Sequence, residues 1–175
     1  MLSREQIIDC LRKLGAELSA RGLQGEILLA GGAVMCLVHE SRDSTKDIDA
    51  LYEPKAVINE IASQIAEDNN LPPTWLNDGV KGFITPGAAF EDYMAFEGLR
   101  VQTVTMHYLL AMKLMSARYG EKDYEDICFL LKKMGITKSE QALEILQSYY
   151  PTQQILPKTM YLLEELLYGD LGSSS

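Results

Sequence analysis

The sequence predicts an α+β fold, a small mixed sheet flanked by helices with a C-terminal helical part. Two observations carry this. Near residues 26–52, a buried-looking strand (Glu26-Ile27-Leu28-Leu29-Ala30), a Gly31-Gly32 turn, a helix and a second strand follow one another. After Thr105 the apolar residues recur only at helical spacing, over about 106–119, 122–134, 139–149 and 157–168. The expected organisation is therefore a core over residues 1–104 with a helical part, residues 105–175, packed on it as a single compact unit.

Each element has a local reason. Ser3-x-x-Gln6 is a capping-box pattern ahead of an apolar stripe at Ile7, Ile8, Leu11, Leu14 and Leu18, so a helix is expected to run to just before Gly22. Ala33 to His39 reads as the helix after the diglycine, and Glu40 to Lys46 as a polar loop. Asp47-Ile48-Asp49-Ala50-Leu51-Tyr52 alternates with period two, as a half-buried strand does. Pro54 suits the first turn of a helix carrying Val57, Ile58, Ile61 and Ile65, and Pro72-Pro73 stops it. Trp75 to Ala89 reads as loop, with Trp75 a core or lid anchor and Asn77-Asp78 an Asx turn before Gly79. Tyr93–Phe96 and Leu99–Val104 read as two strands joined at Glu97-Gly98. Thr137-x-x-Glu140 is a second capping-box pattern, and Gly169 to Ser175 should fray.

Composition narrows the function classes. With 47% hydrophobic and 23% charged residues in 175, the chain is neither disordered nor a disulfide scaffold. The longest uncharged apolar run, Ile27 to Val38, is broken by Gly31-Gly32 and falls short of the roughly 20 residues a membrane span needs. Glu5 and Asp9 interrupt any signal-peptide core, so no membrane partner is expected. Cys10, Cys36 and Cys128 each sit among apolar neighbours without a CxxC pair, which reads as three reduced, buried thiols in a cytoplasmic protein. The net charge of −9 repels polyphosphate backbones, so direct nucleic-acid binding would need a local basic patch. A nucleotide that brings its own metal ions remains compatible with that charge.

The chemistry concentrates in two places. Asp47 and Asp49 lie two apart on the expected strand, so both carboxylates point to one face while Ile48 points to the other. Like charges so placed call for a cation, and hard oxygen ligands suit Mg²⁺, which also takes phosphate oxygens. A solvated strand face explains the same pair without a ligand. Gly31-Gly32 lets a backbone approach a phosphate, or merely makes a tight turn. In the intervening loop, Ser44 and Thr45 hydroxyls can donate to a phosphate and Arg42 or Lys46 can neutralise it. In the helical part, Met106, Leu109, Leu110, Lys113 and Ala117 share a helix face, so Lys113 in that apolar stripe needs a partner. Asp123 and Asp126 lie on the inward stripe of the next helix, and an ion pair to either ties the two helices together.

Leu28-Leu29-Ala30-Gly31-Gly32 followed by Thr45-Lys46-Asp47-Ile48-Asp49-Ala50 resembles the nucleotidyltransferase pattern of the DNA polymerase beta superfamily. Tyr108 to Leu114, Ala117-Arg118 and Lys122 to Ile127 look like the downstream helices of AbiEii-like minimal bacterial nucleotidyltransferases, and Trp75-Leu76-Asn77-Asp78 resembles an uncharacterised bacterial branch of that group. The resemblance covers about residues 26–134. It implies transfer of a nucleoside monophosphate from an NTP to a hydroxyl acceptor: RNA, protein or small molecule. It further implies Asp47 and Asp49 as ligands of Mg²⁺ or Mn²⁺, and Gly31, Gly32, Ser44, Thr45 and Lys46 against the nucleotide. Lys113 and Asp123 would complete the catalytic set, and an antitoxin-like protein partner would follow at family level. The late strand, Leu99-Arg100-Val101-Gln102-Thr103-Val104, holds no acid where many of these enzymes have a third carboxylate; either Asp123 takes its place, as the AbiEii-like group implies, or metal binding is degraded. The other readings are a nucleotide-binding module without turnover and a protein-interaction module of the same fold.

Overall fold

Helix α1 (Arg4–Ala20) begins where its cap demands: the Gln6 backbone N–H donates to Ser3 Oγ, and the Ser3 N–H donates to Gln6 Oε1. The structure is a computed structural model that describes residues 1–116 and 120–169. Ala117 and Arg118, and the terminal segment expected to fray beyond Gly169, lie outside the described residues. The chain divides into two units: residues 1–84 with 89–104, and residues 85–88 with the segment from Thr105 onward.

In the first unit, β1 (Leu2–Ser3) precedes α1, and β2 (Gly25–Ala30) leads into α2 (Gly31–Leu37). Then come β3 (Ser44–Thr45), β4 (Ile48–Glu53), α3 (Lys55–Asn69), β5 (Leu76–Asn77), a 3₁₀ turn (Gly79–Phe83), β6 (Phe90–Phe96) and β7 (Leu99–Val104). The five-stranded sheet runs β5-β4-β2-β7-β6. It is mixed: β2 is antiparallel to β4 and parallel to β7, β5 is parallel to β4, and β6 is antiparallel to β7.

Alternation sorts the sheet into two faces. Ile27 and Leu29 of β2, Ile48 and Ala50 of β4, and Leu99 and Val101 of β7 are fully buried on the face that α1 and α3 cover. Leu99 Cβ lies beside Gly15 of α1, and the Tyr52 hydroxyl donates to Asn59 Oδ1 of α3. The other face carries Glu26 and Leu28 of β2, Asp49, Leu51 and Glu53 of β4, and Arg100 and Gln102 of β7, in register across the ladders.

Three segments differ from what the sequence pattern leads one to expect. Ser44 and Thr45 are not loop: they pair with Ser3 and Leu2 in a two-stranded ladder whose short length left no periodicity to read. The Trp75–Ala89 stretch contains β5 and the 3₁₀ turn; Trp75 is fully buried and its Nε1–H donates to the Ala62 carbonyl, which makes it a core anchor. Cys128 is half-buried, whereas Cys10 and Cys36 are buried. The Asx turn is present, with the Gly79 N–H donating to Asn77 Oδ1 at 3.0 Å.

The second unit is helical: α4 (Met106–Ser116), α5 (Glu121–Lys133), α6 (Ser139–Tyr149) and α7 (Pro157–Tyr168). Helix α4 is not a one-sided stripe, since Tyr108 through Leu114 are all buried, as in a helix enclosed by neighbours. Tyr108 packs on Tyr149 with ring centroids 4.8 Å apart, and its hydroxyl accepts from the Thr85 N–H. Thr137-x-x-Glu140 does not cap α6; instead Gln141 Oε1 accepts from the Thr137 and Lys138 N–H groups. Among the described residues no helix is long and apolar enough to cross a membrane.

The turn between β6 and β7 meets α1 without room for side chains. Gly98 has φ +81°, and a Cβ there would overlap the Gly15 carbonyl oxygen. Gly98→Ala is expected to cost at least about 2 kcal/mol in urea unfolding, from backbone strain together with overpacking.

Candidate functional site

Antiparallel pairing sets Ala30, the last residue of β2, directly opposite Asp49 of β4. The next residue, Gly31, turns the chain into α2 with φ +63°, a conformation that favours glycine. A Cβ at Gly31 would stand 2.8 Å from Asp49 Oδ2, so the Asp49 carboxylate lies directly against the turn. Gly32 is equally confined: its Cβ would meet Thr45 Oγ1 at 2.7 Å and an Arg42 Nη1 at 2.9 Å. Two glycines thus clear space for a carboxylate on one side and for a hydroxyl and a guanidinium on the other.

Asp47 immediately precedes β4 and, like Asp49, is half-buried, whereas the intervening Ile48 is fully buried. The expected strand placement holds for Asp49, whereas Asp47 lies just outside the ladder. The Asp47 carbonyl accepts from Thr45 Oγ1 at 3.2 Å, which ties Thr45, and through its ladder partner Leu2 the chain's beginning, to the acidic segment. Thr45 is buried, Ser44 half-buried and Lys46 exposed. Helix α2 spans seven residues, so its dipole is short and Arg42 is the group beside the turn with a full positive charge. β5 adds Asn77 beside Asp49 on the same face.

The neighbouring strand offers no further acid to this turn. On β7, Arg100 and Gln102 stand on the Asp49 face. Asp92 of β6 accepts from both Arg100, at 2.7 and 3.0 Å, and Gln102, at 3.2 Å. Among the described residues no group of three or more His, Cys, Asp or Glu side chains is arranged around a metal-sized site. Two carboxylates suffice for Mg²⁺ when phosphate oxygens and water supply the remaining ligands. Asp47 and Asp49 offer carboxylate oxygens, the donor type a hard cation prefers.

Farther along the same face, Leu28 and Leu51 oppose each other, and beyond them so do Glu26 and Glu53. Lys55 and Asp78 form an ion pair there. Hydrogen bonding to Lys55 holds the Asp78 carboxyl below the usual carboxylate range and raises the Lys55 ammonium, so both are charged at neutral pH.

In the second unit Lys113 is 7% exposed and meets two carboxylates, Asp126 at 2.7 Å and Asp123 at 3.2 Å. The ion pair that the helical spacing suggested therefore exists in both forms at once. Asp126 is more deeply buried than the lysine, and Asp123 is a third exposed. Helical spacing alone presents the two aspartates as alternatives, because it does not show one ammonium reaching both. In comparisons with known proteins, no family model, curated protein or solved structure gives a significant match to this chain.

Two variants test these arrangements. Gly31→Ala is expected to displace Asp49 and to strain the turn, lowering stability by about 1–3 kcal/mol in thermal or urea unfolding. Lys113→Met leaves Asp126 buried without its cation and should cost about 3–5 kcal/mol, whereas the double variant Lys113→Met/Asp126→Leu should recover most of that loss.

Proposed function

We propose that the chain is a metal-dependent nucleotidyltransferase that moves a nucleoside monophosphate from an NTP to a hydroxyl acceptor. One observation carries the reading: the Asp49 carboxylate lies against a diglycine turn whose close contacts and, at Gly31, positive φ favour residues without a Cβ. Asp47 stands two residues before it, with the same half-buried character. That is the arrangement the resemblance to polymerase-beta-like nucleotidyltransferases leads one to expect, and it is carried by first-unit residues alone.

In this reading the triphosphate lies along Gly31-Gly32, where the missing side chains admit its oxygens. Arg42 and Lys46 offset its charge, and the Ser44 hydroxyl donates to it, while Thr45, whose hydroxyl donates to the Asp47 carbonyl, holds the segment in place beside it. Asp47 and Asp49 would hold Mg²⁺ or Mn²⁺, which would supply charge stabilisation for the phosphates and activate the acceptor hydroxyl. The acceptor oxygen forms a bond to the α-phosphorus, the bond to the β-phosphate oxygen breaks, pyrophosphate leaves, and the hydroxyl proton passes to solvent. The protein's part is positioning and electrostatics, which carry most of phosphoryl-type transfer.

A second reading is nucleotide binding without turnover, which the Arg100–Asp92–Gln102 network favours, because it occupies the strand where a third acid would stand. One assay separates the two. Incubated with labelled NTP, Mg²⁺ or Mn²⁺ and an acceptor extract, the protein should release pyrophosphate and label an acceptor, and EDTA should stop it. Asp47→Asn and Asp49→Asn should each lower the rate about 10²-fold or more while leaving the unfolding midpoint within a few degrees of the parent. Retention of NTP without pyrophosphate release would select the second reading.

A further inference from the structure

Thr45 is where the parts of the candidate site meet. Its hydroxyl donates to the Asp47 carbonyl at 3.2 Å and stands 2.7 Å from where a Cβ on Gly32 would lie. Its backbone is held from outside the site, by pairing with Leu2 in the β1–β3 ladder, which is separate from the five-stranded sheet. Leu2 and Thr45 are both buried, at 1% and 4% exposure. Arg4 reaches the other end of the same loop: its Nε donates to the Leu37 carbonyl at 3.4 Å and pairs with Glu40 at 3.4 Å. Residues 2–4 therefore grip the segment from Leu37 to Thr45 at both ends. The grip is slight. A two-residue ladder adds few hydrogen bonds, and the Arg4–Glu40 pair joins exposed side chains whose attraction water screens. The anchor is one buried side chain, Leu2.

We propose that β1 is a strap that opens locally, while α1 beyond its first turn and the five-stranded sheet stay folded, and that the acidic turn takes a metal ion and a triphosphate only while the strap is docked. Leu2 and Arg4 are then positioning residues, acting through Thr45 and Glu40. When Leu2 leaves, Thr45 loses its ladder partner, and the hydroxyl that fixes the Asp47 carbonyl is released with it. Asp47 lies just outside the β4 ladder, so strand pairing does not keep it in place. Asp49 stays where it is in either state, because it pairs with Ala30. Opening therefore frees one carboxylate and leaves the other, and a cation that needs both loses a ligand. The coupling is reciprocal: a metal–triphosphate complex that binds only the docked form holds the strap down. The control of binding rests on the reading given under Proposed function; the local opening does not.

Hydrogen exchange of the full chain, read by mass spectrometry, tests the opening. Residues 44–47 should exchange faster than residues 7–18 of α1, through an opening with little dependence on denaturant. Leu2→Asn should speed that exchange by about tenfold or more while leaving residues 7–18 within about twofold of the parent, and Leu2→Met should restore the parent rate. Where Leu2→Asn also releases α1, Arg4→Gln, a change at an exposed ion pair, carries the same comparison with a smaller increase. The binding probe is Mn²⁺ with inorganic triphosphate, which is indifferent to the choice of base. It should slow exchange of residues 44–47 in the parent, and it should bind Leu2→Asn about tenfold or more weakly, with Leu2→Met at the parent affinity. Exchange of residues 44–47 at the rate and denaturant dependence of α1, or indifference of that exchange to both Leu2→Asn and Arg4→Gln, overturns the strap. Faster opening with unchanged probe affinity overturns its control of the site. If the parent binds neither Mn²⁺ nor triphosphate, the transferase reading fails and the control falls with it, and the exchange comparison alone decides the strap.

Discussion

Register between β2 and β4 is the constraint on which the rest of the first unit depends. Ala30 faces Asp49, Leu28 faces Leu51 and Glu26 faces Glu53. A slip of one residue would turn every side chain to the opposite face. Asp49 would enter the layer beneath α1 and α3, and Ile48 and Ala50 would leave it. Burial of Ile48, Ala50, Ile27 and Leu29 excludes that slip, because each would lose its apolar surroundings while a carboxylate gained them. The hydrophobic face of the sheet therefore positions the polar one, although the two faces share no side chain.

The glycines complete what the register begins. Gly31 meets two demands at once without strain, a positive φ and room for the Asp49 carboxylate. Gly32 leaves space into which Thr45 and Arg42 reach. Pairing of Leu2 with Thr45 and of Ser3 with Ser44 then holds the approach to the acids from outside the main sheet. A segment rich in charged and hydroxyl side chains thereby gains a defined backbone without a core of its own.

The second unit solves a different electrostatic problem. Its buried cation, Lys113, is offset by two carboxylates one helical turn apart on α5. Buried ion pairs contribute little net stability compared with apolar substitutes but are costly to break, so such a trio serves better to define how α4 and α5 pack than to stabilise them. The aromatic contact of Tyr108 with Tyr149 and the donation of the Ser139 N–H to the Tyr168 hydroxyl extend the same principle of polar tips satisfied within an apolar body.

The amino-acid sequence by itself determined the capped start of α1, the strand–diglycine–helix–strand order and the helical character beyond Thr105, because those features rest on side-chain periodicity and local capping. It also made Asp47, Asp49, Gly31 and Gly32 visible as a set, since their residue types are unusual for the positions they hold. Only the tertiary structure decided the pairing of β1 with β3 and of β5 with β4 and the double partnership of Lys113. Two-residue strands carry no period to detect, and an ammonium shared by two carboxylates exists only once distant segments are brought into register.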